Sequence, residues 1–214
     1  AQSVLDRFAQ IEPTVLLAVD GYRYAGKDFD RRAVVEQVAA AIPTLARVVR
    51  LPCLDPAVGD WDEAFPPTDA PLAFERVPFA HPLCVLYSSG TTGLPKAIVH
   101  GTGGLLLEHL KWLGIHYDLR PGDRAFWFTT TGWMMWNALI ASHLVGAEIV
   151  LWDGSPAAPG PDALWQLAED AGVTMMGVGA AYIHGCMKAG VEPHGGGRRL
   201  DALRAIGSTG SPLS

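Results

Sequence analysis

A segment rich in glycine and hydroxyl side chains, with the sequence YSSGTTGLPKAIVH, occupies residues 87–100. Glycine allows a ligand to approach the backbone closely and can adopt a positive φ. Curled backbone amides, hydroxyl groups and one lysine together suit the binding of a polyphosphate. The segment therefore predicts a phosphate-binding loop in which Lys96 neutralises phosphate charge. The residues expected to bind phosphate are Ser88, Ser89, Gly90, Thr91, Thr92, Gly93 and Lys96.

Two common phosphate-binding motifs do not describe this segment. A P-loop places its Gly-Lys-Ser/Thr at the start of a helix, whereas here Pro95 precedes Lys96 and the strand-like AIV follows. The Gly-x-Gly-x-x-Gly pattern of dinucleotide-binding loops does not match either. The alternative interpretation is a solvated turn, because Ser, Thr and Gly are ordinary loop residues.

The sequence around this loop alternates short apolar runs with amphipathic stretches. Strands are predicted at residues 15–19, 47–51, 83–87, 97–99, 124–129, 148–152, 173–178 and 203–206. Helices are predicted at residues 31–42, 103–113, 162–171 and 180–188, where apolar residues recur at helical spacing. Strands that alternate with helices imply crossover connections, so the predicted fold class is α/β, with a mostly parallel sheet and flanking helices. In such a sheet, ligand-binding loops lie at the carboxyl ends of the strands.

The composition changes between residues 53 and 82, where Pro, Asp and Glu are frequent and no periodicity persists. A stretch of this length predicts a linker between two parts of the chain. We therefore interpret residues 1–82 as the end of a first α/β subdomain plus this linker. Residues 83–214 are interpreted as a second α/β subdomain, which contains the predicted phosphate loop.

The two ends of the chain predict that it is a piece of a longer polypeptide. The first residue is Ala1 rather than Met. Ser211 and Pro212 have the order expected of an N-cap and a first helical residue, yet the chain stops at Ser214. The second subdomain is therefore expected to be truncated at its C-terminal end.

The overall composition is that of a globular protein, with 49% apolar and 18% charged residues and a net charge of -6 over 214 residues. This mild acidity argues against a nucleic-acid-binding surface. No apolar run reaches the roughly 18 residues that a membrane-spanning helix needs. Cys53, Cys84 and Cys186 lie far apart and are expected to be free thiols in a reducing compartment, so a cytoplasmic location is predicted. Neither an HExxH nor an EF-hand pattern is present, so the sequence predicts no metal held by the protein itself.

The loop residues resemble the phosphate-binding signature of the adenylate-forming superfamily. That signature is an apolar strand followed by Ser-Gly-Thr-Thr-Gly-x-Pro-Lys, and the sequence matches it at every specified position. The family includes acyl-CoA synthetases, luciferase-type enzymes and nonribosomal-peptide adenylation domains. The resemblance implies the fold of the family's large N-terminal domain, with ATP and the acyl substrate bound by residues 83–214. It also implies that Ser88 to Lys96 wraps around the β- and γ-phosphates of ATP.

A second segment, TTGWMMWN at residues 130–137, is similar to the part of the family that walls the acyl pocket. The resemblance implies that Trp133, Met134 and Met135 line a small acyl pocket. From the residues alone, this apolar patch is equally well explained as plain core.

The adenine site is implied by LRAIGSTGSPLS at residues 203–214, which resembles the family's adenine-binding strand and loop. The residues assigned to adenine in this way are Gly207, Ser208, Thr209, Gly210, Ser211 and Pro212. The family more often has an acidic residue at position 211. VTMMGVGAAYIHGCMKAG at residues 173–190 resembles the strand and helix on the other side of the acyl pocket.

Two basic residues in the N-terminal part are implied by the resemblance to contact CoA. Arg23 and Lys27 fall where related enzymes place basic side chains for the phosphates of CoA. The alternative is that both are solvated surface charges, which is the usual position of Arg and Lys.

Residues 4–30 and 96–137 resemble one subgroup of short-chain acyl-CoA synthetases. The resemblance implies a reaction in which the carboxylate of a short-chain keto acid attacks the α-phosphorus of ATP, and CoA then displaces AMP. Mg²⁺ would be held by ATP. A C-terminal domain beyond Ser214, with its catalytic lysine, would complete the enzyme, so the piece alone is expected to be inactive. The alternatives are an acetyl- or propionyl-CoA synthetase and a nucleotide-binding module without catalysis.

Overall fold

Short parallel strands joined by helices dominate the fold, which we describe from a computed structural model covering residues 1–88 and 93–212. The chain divides into two units, residues 1–101 and residues 102–214. This boundary falls later than the predicted one after residue 82, because residues 82–88 pair with residues 96–101 and stay in the first unit. The assignment of ATP and acyl binding to residues 83–214 remains a prediction.

The first unit combines a parallel strand pair with two antiparallel pairs. Its elements are helix α1 (Gln2–Phe8), strands β1 (Val15–Val19), β2 (Gly21–Tyr24) and β3 (Lys27–Asp30), helix α2 (Arg32–Ala41), strand β4 (Arg47–Leu51), the short helix α3 (Trp61–Ala64), and strands β5 (Pro82–Ser88) and β6 (Lys96–Gly101). The crossover from β1 to the parallel strand β4 runs through α2, whose apolar stripe buries Val38. The strands predicted at residues 15–19 and 47–51 and the helix predicted at residues 31–42 are confirmed.

The phosphate-loop segment connects an antiparallel hairpin. Strand β5 pairs with β6 so that Ser88 lies opposite Lys96. The prediction that this loop follows a strand of a parallel sheet is therefore wrong. The physical reason is connection length, since parallel neighbours need a crossover of about a dozen residues or more, whereas short loops join antiparallel strands.

The second unit is built around a four-stranded parallel sheet with the order β10-β9-β7-β8. Its elements are helix α4 (Thr102–Leu110), the π-helical turn Lys111–His116, strand β7 (Arg124–Trp127), helix α5 (Met134–Ile140), the 3-10 helix Ala141–Val145, strand β8 (Glu148–Val150), helix α6 (Ala163–Asp170), strand β9 (Met175–Gly179), helix α7 (Ala180–Lys188) and strand β10 (Ala205–Thr209). This sheet confirms the predicted α/β class.

Separate apolar cores cover the two faces of this sheet. Successive side chains of a strand point to opposite faces, so Phe126 and Trp127 of β7 enter different cores. One core includes Leu113, Trp127, Met135, Leu139 and Met175. The other includes Phe126, Leu164, Val173, Met176 and Val178. The sheet is thus buried on both sides, as parallel sheets generally are.

Several elements differ from the prediction in extent or existence. Helix α5 was not predicted, because its sequence MMWNALI is apolar on nearly all sides and carries no amphipathic stripe. The helix predicted at residues 103–113 ends at Leu110 and continues as a π-helical turn. Helix α1 and the β2–β3 hairpin were also not predicted. Within the described residues, no helix is long and apolar enough to cross a membrane.

Candidate active site

A cavity of about 320 Å³ opens at the carboxyl ends of the strands in the second unit. Strands β7, β9 and β10 run parallel, so the residues that follow each strand meet at one edge of the sheet. The residues that line the cavity are Trp127, Phe128, Thr129, Thr130, Trp133, Met135, Gly179, Ala180, Ala181, Thr209, Gly210 and Ser211. Mainly apolar walls with a few hydroxyls are typical of a small-molecule site.

The predicted acyl wall contributes two of its three residues to this cavity. Trp133 precedes α5 with 64% of its surface exposed, and Met135 lies in the first turn of α5 and is buried. Both line the cavity. Met134 is 55% exposed and is not among the lining residues, because neighbouring residues of a helix face different directions.

The predicted adenine loop also reaches the cavity with half of its residues. Thr209, Gly210 and Ser211 line it, directly after strand β10. Gly210 has a φ of 93°, a left-handed conformation that favours glycine. Gly207 is buried within β10, whereas Ser208 and Pro212 are exposed and are not among the lining residues. The structure therefore brings the predicted acyl and adenine segments together around one space.

The inner wall of the cavity includes Trp127, which the sequence did not single out. Its indole is 4% exposed and lies across the neighbouring strands. An added β-carbon at Gly177 would lie 2.0 Å from Trp127 Cδ2, and one at Gly207 would lie 2.5 Å from Trp127 Cη2. These mid-strand glycines were the available signal, because glycine inside a strand often marks a close approach.

The phosphate loop is described in part. Ser89, Gly90, Thr91 and Thr92 lie outside the described residues. Gly93 has a φ of 106°, a conformation that favours glycine. Lys96 is exposed at the start of β6, and no ion pair joins it to another described residue.

Hydrogen bonds to the N-terminal segment fix both stems of this loop. The Tyr87 hydroxyl donates to the carbonyl oxygen of Arg7 at 2.9 Å, on the strand that enters the loop. Immediately before the strand that leaves it, the carbonyl oxygen of Pro95 accepts from Gln10 Nε2 at 2.8 Å. Burial raises the pKa of the Tyr87 hydroxyl, so this donor stays protonated at neutral pH.

The two candidate CoA contacts lie on the exposed β2–β3 hairpin. Arg23 donates to both carboxylate oxygens of Asp28, at 2.6 and 3.0 Å. This hydrogen-bonded pair lowers the pKa of Asp28 and raises that of Arg23. Lys27 is exposed and pairs with Tyr24 in the strand register. No cluster of three or more His, Cys, Asp or Glu side chains suited to a metal is found among residues 1–88 and 93–212.

Comparisons with known proteins agree with this architecture. The family model described as AMP-binding enzyme matches residues 1–214. An acetoacetyl-coenzyme A synthetase of Rhizobium meliloti is 43% identical, over 100% of this chain and 34% of its own length. An acetoacetyl-CoA synthetase of Gallus gallus is 38% identical, over 98% of this chain and 33% of its own length.

A solved structure is similar over the same region. The acetoacetyl-CoA synthetase from Streptomyces lividans matches with a TM-score of 0.93 and 54% sequence identity, over 99% of this chain and 33% of that chain. The chain thus spans about a third of the length of the relatives it matches.

Proposed function

The chain belongs to the family of AMP-binding enzymes, as the motif at residues 87–100 predicted, and from this premise we propose that it is part of an ATP-dependent acid–thiol ligase. The ligase joins acetoacetate to CoA and releases AMP and pyrophosphate. One observation carries the proposal. The segment implied to bind the acyl group and the segment implied to bind adenine both contribute to the walls of one cavity, although they lie far apart in the sequence.

The cavity suits the acyl-adenylate intermediate of such a reaction. Trp133 and Met135 would contact the acyl group, because the side-chain surfaces they offer are apolar. Thr209, Gly210 and Ser211 would lie against adenine, where short side chains leave room for a flat ring. The size of the space, about 320 Å³, is at the lower end of typical ligand sites and favours a small acid.

The phosphate loop would act on the leaving group. Attack of a carboxylate on a phosphate is slowed by repulsion between two anions, so the enzyme must neutralise and align them. Lys96 supplies a positive charge, and the loop from Ser88 to Gly93 supplies amides and hydroxyls. These donors would strengthen their contacts as negative charge moves onto pyrophosphate. Mg²⁺ would enter bound to the phosphates of ATP, whose oxygens are the ligands it prefers.

The contacts for CoA, a further domain and the location of the protein also belong to this proposal. Lys27 and Arg23 are the candidate contacts for the phosphates of CoA, although Arg23 already pairs with Asp28. Because the relatives are about three times as long as the chain, a further domain would complete the active site. We propose a cytoplasmic location, as the free cysteines predict.

The test is ATP–pyrophosphate exchange by the complete polypeptide with acetate, propionate, butyrate and acetoacetate. We expect the highest kcat/KM with acetoacetate. A preference for acetate or propionate would favour another short-chain synthetase. Tight ATP binding that ignores an acyl-adenylate analogue, with no exchange for any acid, would favour a nucleotide-binding module.

The role of the loop is tested by Lys96→Ala. Removing a group that stabilises developing charge should lower the exchange rate by about a hundredfold or more. Lys111→Ala is the matched control, since Lys111 is an exposed lysine paired with Glu108. Equal rates for Lys96→Ala and the control would contradict the proposed role of Lys96.

A further inference from the structure

The indole of Trp127 lies flat on the strands next to its own. In the strand register, Trp127 pairs with Gly177 on β9, and Gly177 pairs with Gly207 on β10. The close approaches of 2.0 and 2.5 Å described above leave no room for a β-carbon at either position. Neither glycine has a positive φ, so the indole, rather than the backbone conformation, explains why glycine is needed there.

Two partly buried aromatic residues, Trp112 and Tyr117, pack against the core that contains this indole. The ring of Trp112 lies 5.9 Å from that of Trp127, and the ring of Tyr117 lies 4.7 Å from that of Trp112. A β-carbon at Gly207 would also lie 2.7 Å from the Tyr117 hydroxyl oxygen. Trp112 and Tyr117 are not among the residues that line the cavity. Of these three aromatic residues, Trp127 is the one that lines the cavity, and Trp112 lies against it.

We propose that Trp127 limits the length of the acyl chain that this site accepts. The inference rests on the proposed function and assigns a specificity-determining residue to it. The carboxylate of the acid must stay near ATP, so extra methylenes have to extend toward the inner wall. Because two glycine positions and Trp112 hold the indole, the ring cannot move aside without disturbing the sheet. A longer acid would therefore have to displace a buried ring.

A second wall is the alternative limit. Phe128, Gly179 and Ala181 line the first cavity and also a neighbouring cavity of about 470 Å³. Phe128 packs against the core on the opposite face of the sheet from Trp127. Removing its ring would join the two cavities, whereas removing the indole would extend the first cavity toward Trp112. The two walls can thus be tested separately.

The experiment measures ATP–pyrophosphate exchange by the complete polypeptide with acetoacetate and with straight-chain acids from acetate to octanoate. Trp127→Leu should raise the ratio of kcat/KM for hexanoate over acetoacetate by at least about tenfold, the usual effect of one methylene in a hydrophobic pocket. Trp127→Phe keeps a ring on the glycines and should give a smaller shift. Trp165→Leu is the matched control, because Trp165 is also a buried tryptophan and lies in the other core.

The contact with the glycines is tested by melting temperature. Gly177→Ala should lower it strongly in the wild-type background, and much less in combination with Trp127→Leu, which removes the overlapping ring. Equal effects in the two backgrounds would overturn the contact.

The outcomes separate the inference from the proposed function. If the wild-type protein uses acetoacetate and Trp127→Leu and Trp127→Phe keep its chain-length preference, the inference is wrong and the proposed function stands. The inference is also wrong if Phe128→Leu admits longer acids and the Trp127 variants do not. If the wild-type protein uses none of the acids, both the proposed function and the inference fail.

Discussion

The two units of this chain bury different kinds of residue. The second unit has a large apolar core on each face of a four-stranded sheet, with Leu113, Leu164 and Val173 fully buried. In the described part of the first unit, the buried residues are Asp20, Gly21, Val38, Ile42 and Val49. Strand β1 even leaves Val15 and Leu17 about half exposed, at 49% and 52%. The same alternation of strands and helices therefore leads to very different amounts of burial.

A buried carboxylate joins parts of the first unit that apolar contacts leave loosely packed. Asp20 accepts hydrogen bonds from the backbone amides of Cys53, Leu54 and Asp55, at 2.7, 3.0 and 2.8 Å. These bonds tie the end of β1 to the segment after β4. From this difference we expect polar contacts to contribute a larger share of the stability in the first unit, and apolar burial a larger share in the second.

The largest expected effect tests the apolar side of this comparison. Leu164→Ala should destabilise the second unit by about 3 kcal/mol, because a fully buried leucine leaves a cavity. Native-state hydrogen exchange at the amides of β9 measures this stability locally. Leu167→Ala on the same helix is the control, since Leu167 is partly exposed. Equal losses for the two variants would contradict the difference in burial.

The next effect tests the polar side. Asp20→Ala leaves three backbone amides without their acceptor and should increase hydrogen exchange at Cys53 and Leu54 strongly, with little change in the second unit. Asp20→Asn keeps one acceptor oxygen and should have a smaller effect. A uniform change across both units would show that the carboxylate does not act locally.

The same carboxylate predicts a pH dependence. The amide of Leu54, followed by those of Asp55 and Cys53, lowers the pKa of Asp20 against the opposing effect of burial. Because the folded pKa lies below the unfolded one, the stabilisation is complete above the unfolded pKa of about 4 and is lost as the pH falls through the folded pKa. Lowering the pH should therefore increase hydrogen exchange in the first unit of the wild-type protein. The Asp20→Asn variant should lack this pH-dependent increase.

A smaller effect is expected for a polar contact within the second unit. The Tyr182 hydroxyl donates to the carbonyl oxygen of Pro161 at 3.2 Å, and the Cys186 thiol reaches the same oxygen at 3.4 Å. Tyr182→Phe should cost about 1 kcal/mol or less, since one donor remains. Urea denaturation of Tyr182→Phe and of Leu164→Ala measures the difference between their free energies of unfolding. A loss as large as that of Leu164→Ala would mean that polar contacts stabilise the second unit as much as apolar burial does.

The smallest effect is expected on the exposed face of β1. Leu17→Ala should change the stability of the first unit by about 0.5 kcal/mol or less, because the side chain is already half exposed. Val49→Ala on the paired strand should cost more, as Val49 is 1% exposed. Hydrogen exchange at β4 compares the two. A large loss for Leu17→Ala would show that this face is covered in solution.

Local sequence was sufficient for most of the regular elements. Helix α7 was predicted with the bounds observed, and strand β9 within about two residues, which is the usual uncertainty. Apolar periodicity spans only a few neighbours, so it can be read without the fold. Helix α5 was missed because an apolar run lacks the polar face that marks the period. The antiparallel pairing of β5 and β6 could have been inferred from the short connection alone.

The family, the fold class and the composition of the phosphate loop could be predicted from the sequence alone, because these depend on residue types at fixed local spacing. The folded structure was needed to show that Trp133 and Ser211 share one cavity, that Met134 does not line it, and that Trp127 forms its inner wall. These facts depend on strand order and register. The register of β7 and β9 brings Trp127 against Gly177, 50 positions later in the chain. Local patterns do not encode such a pairing.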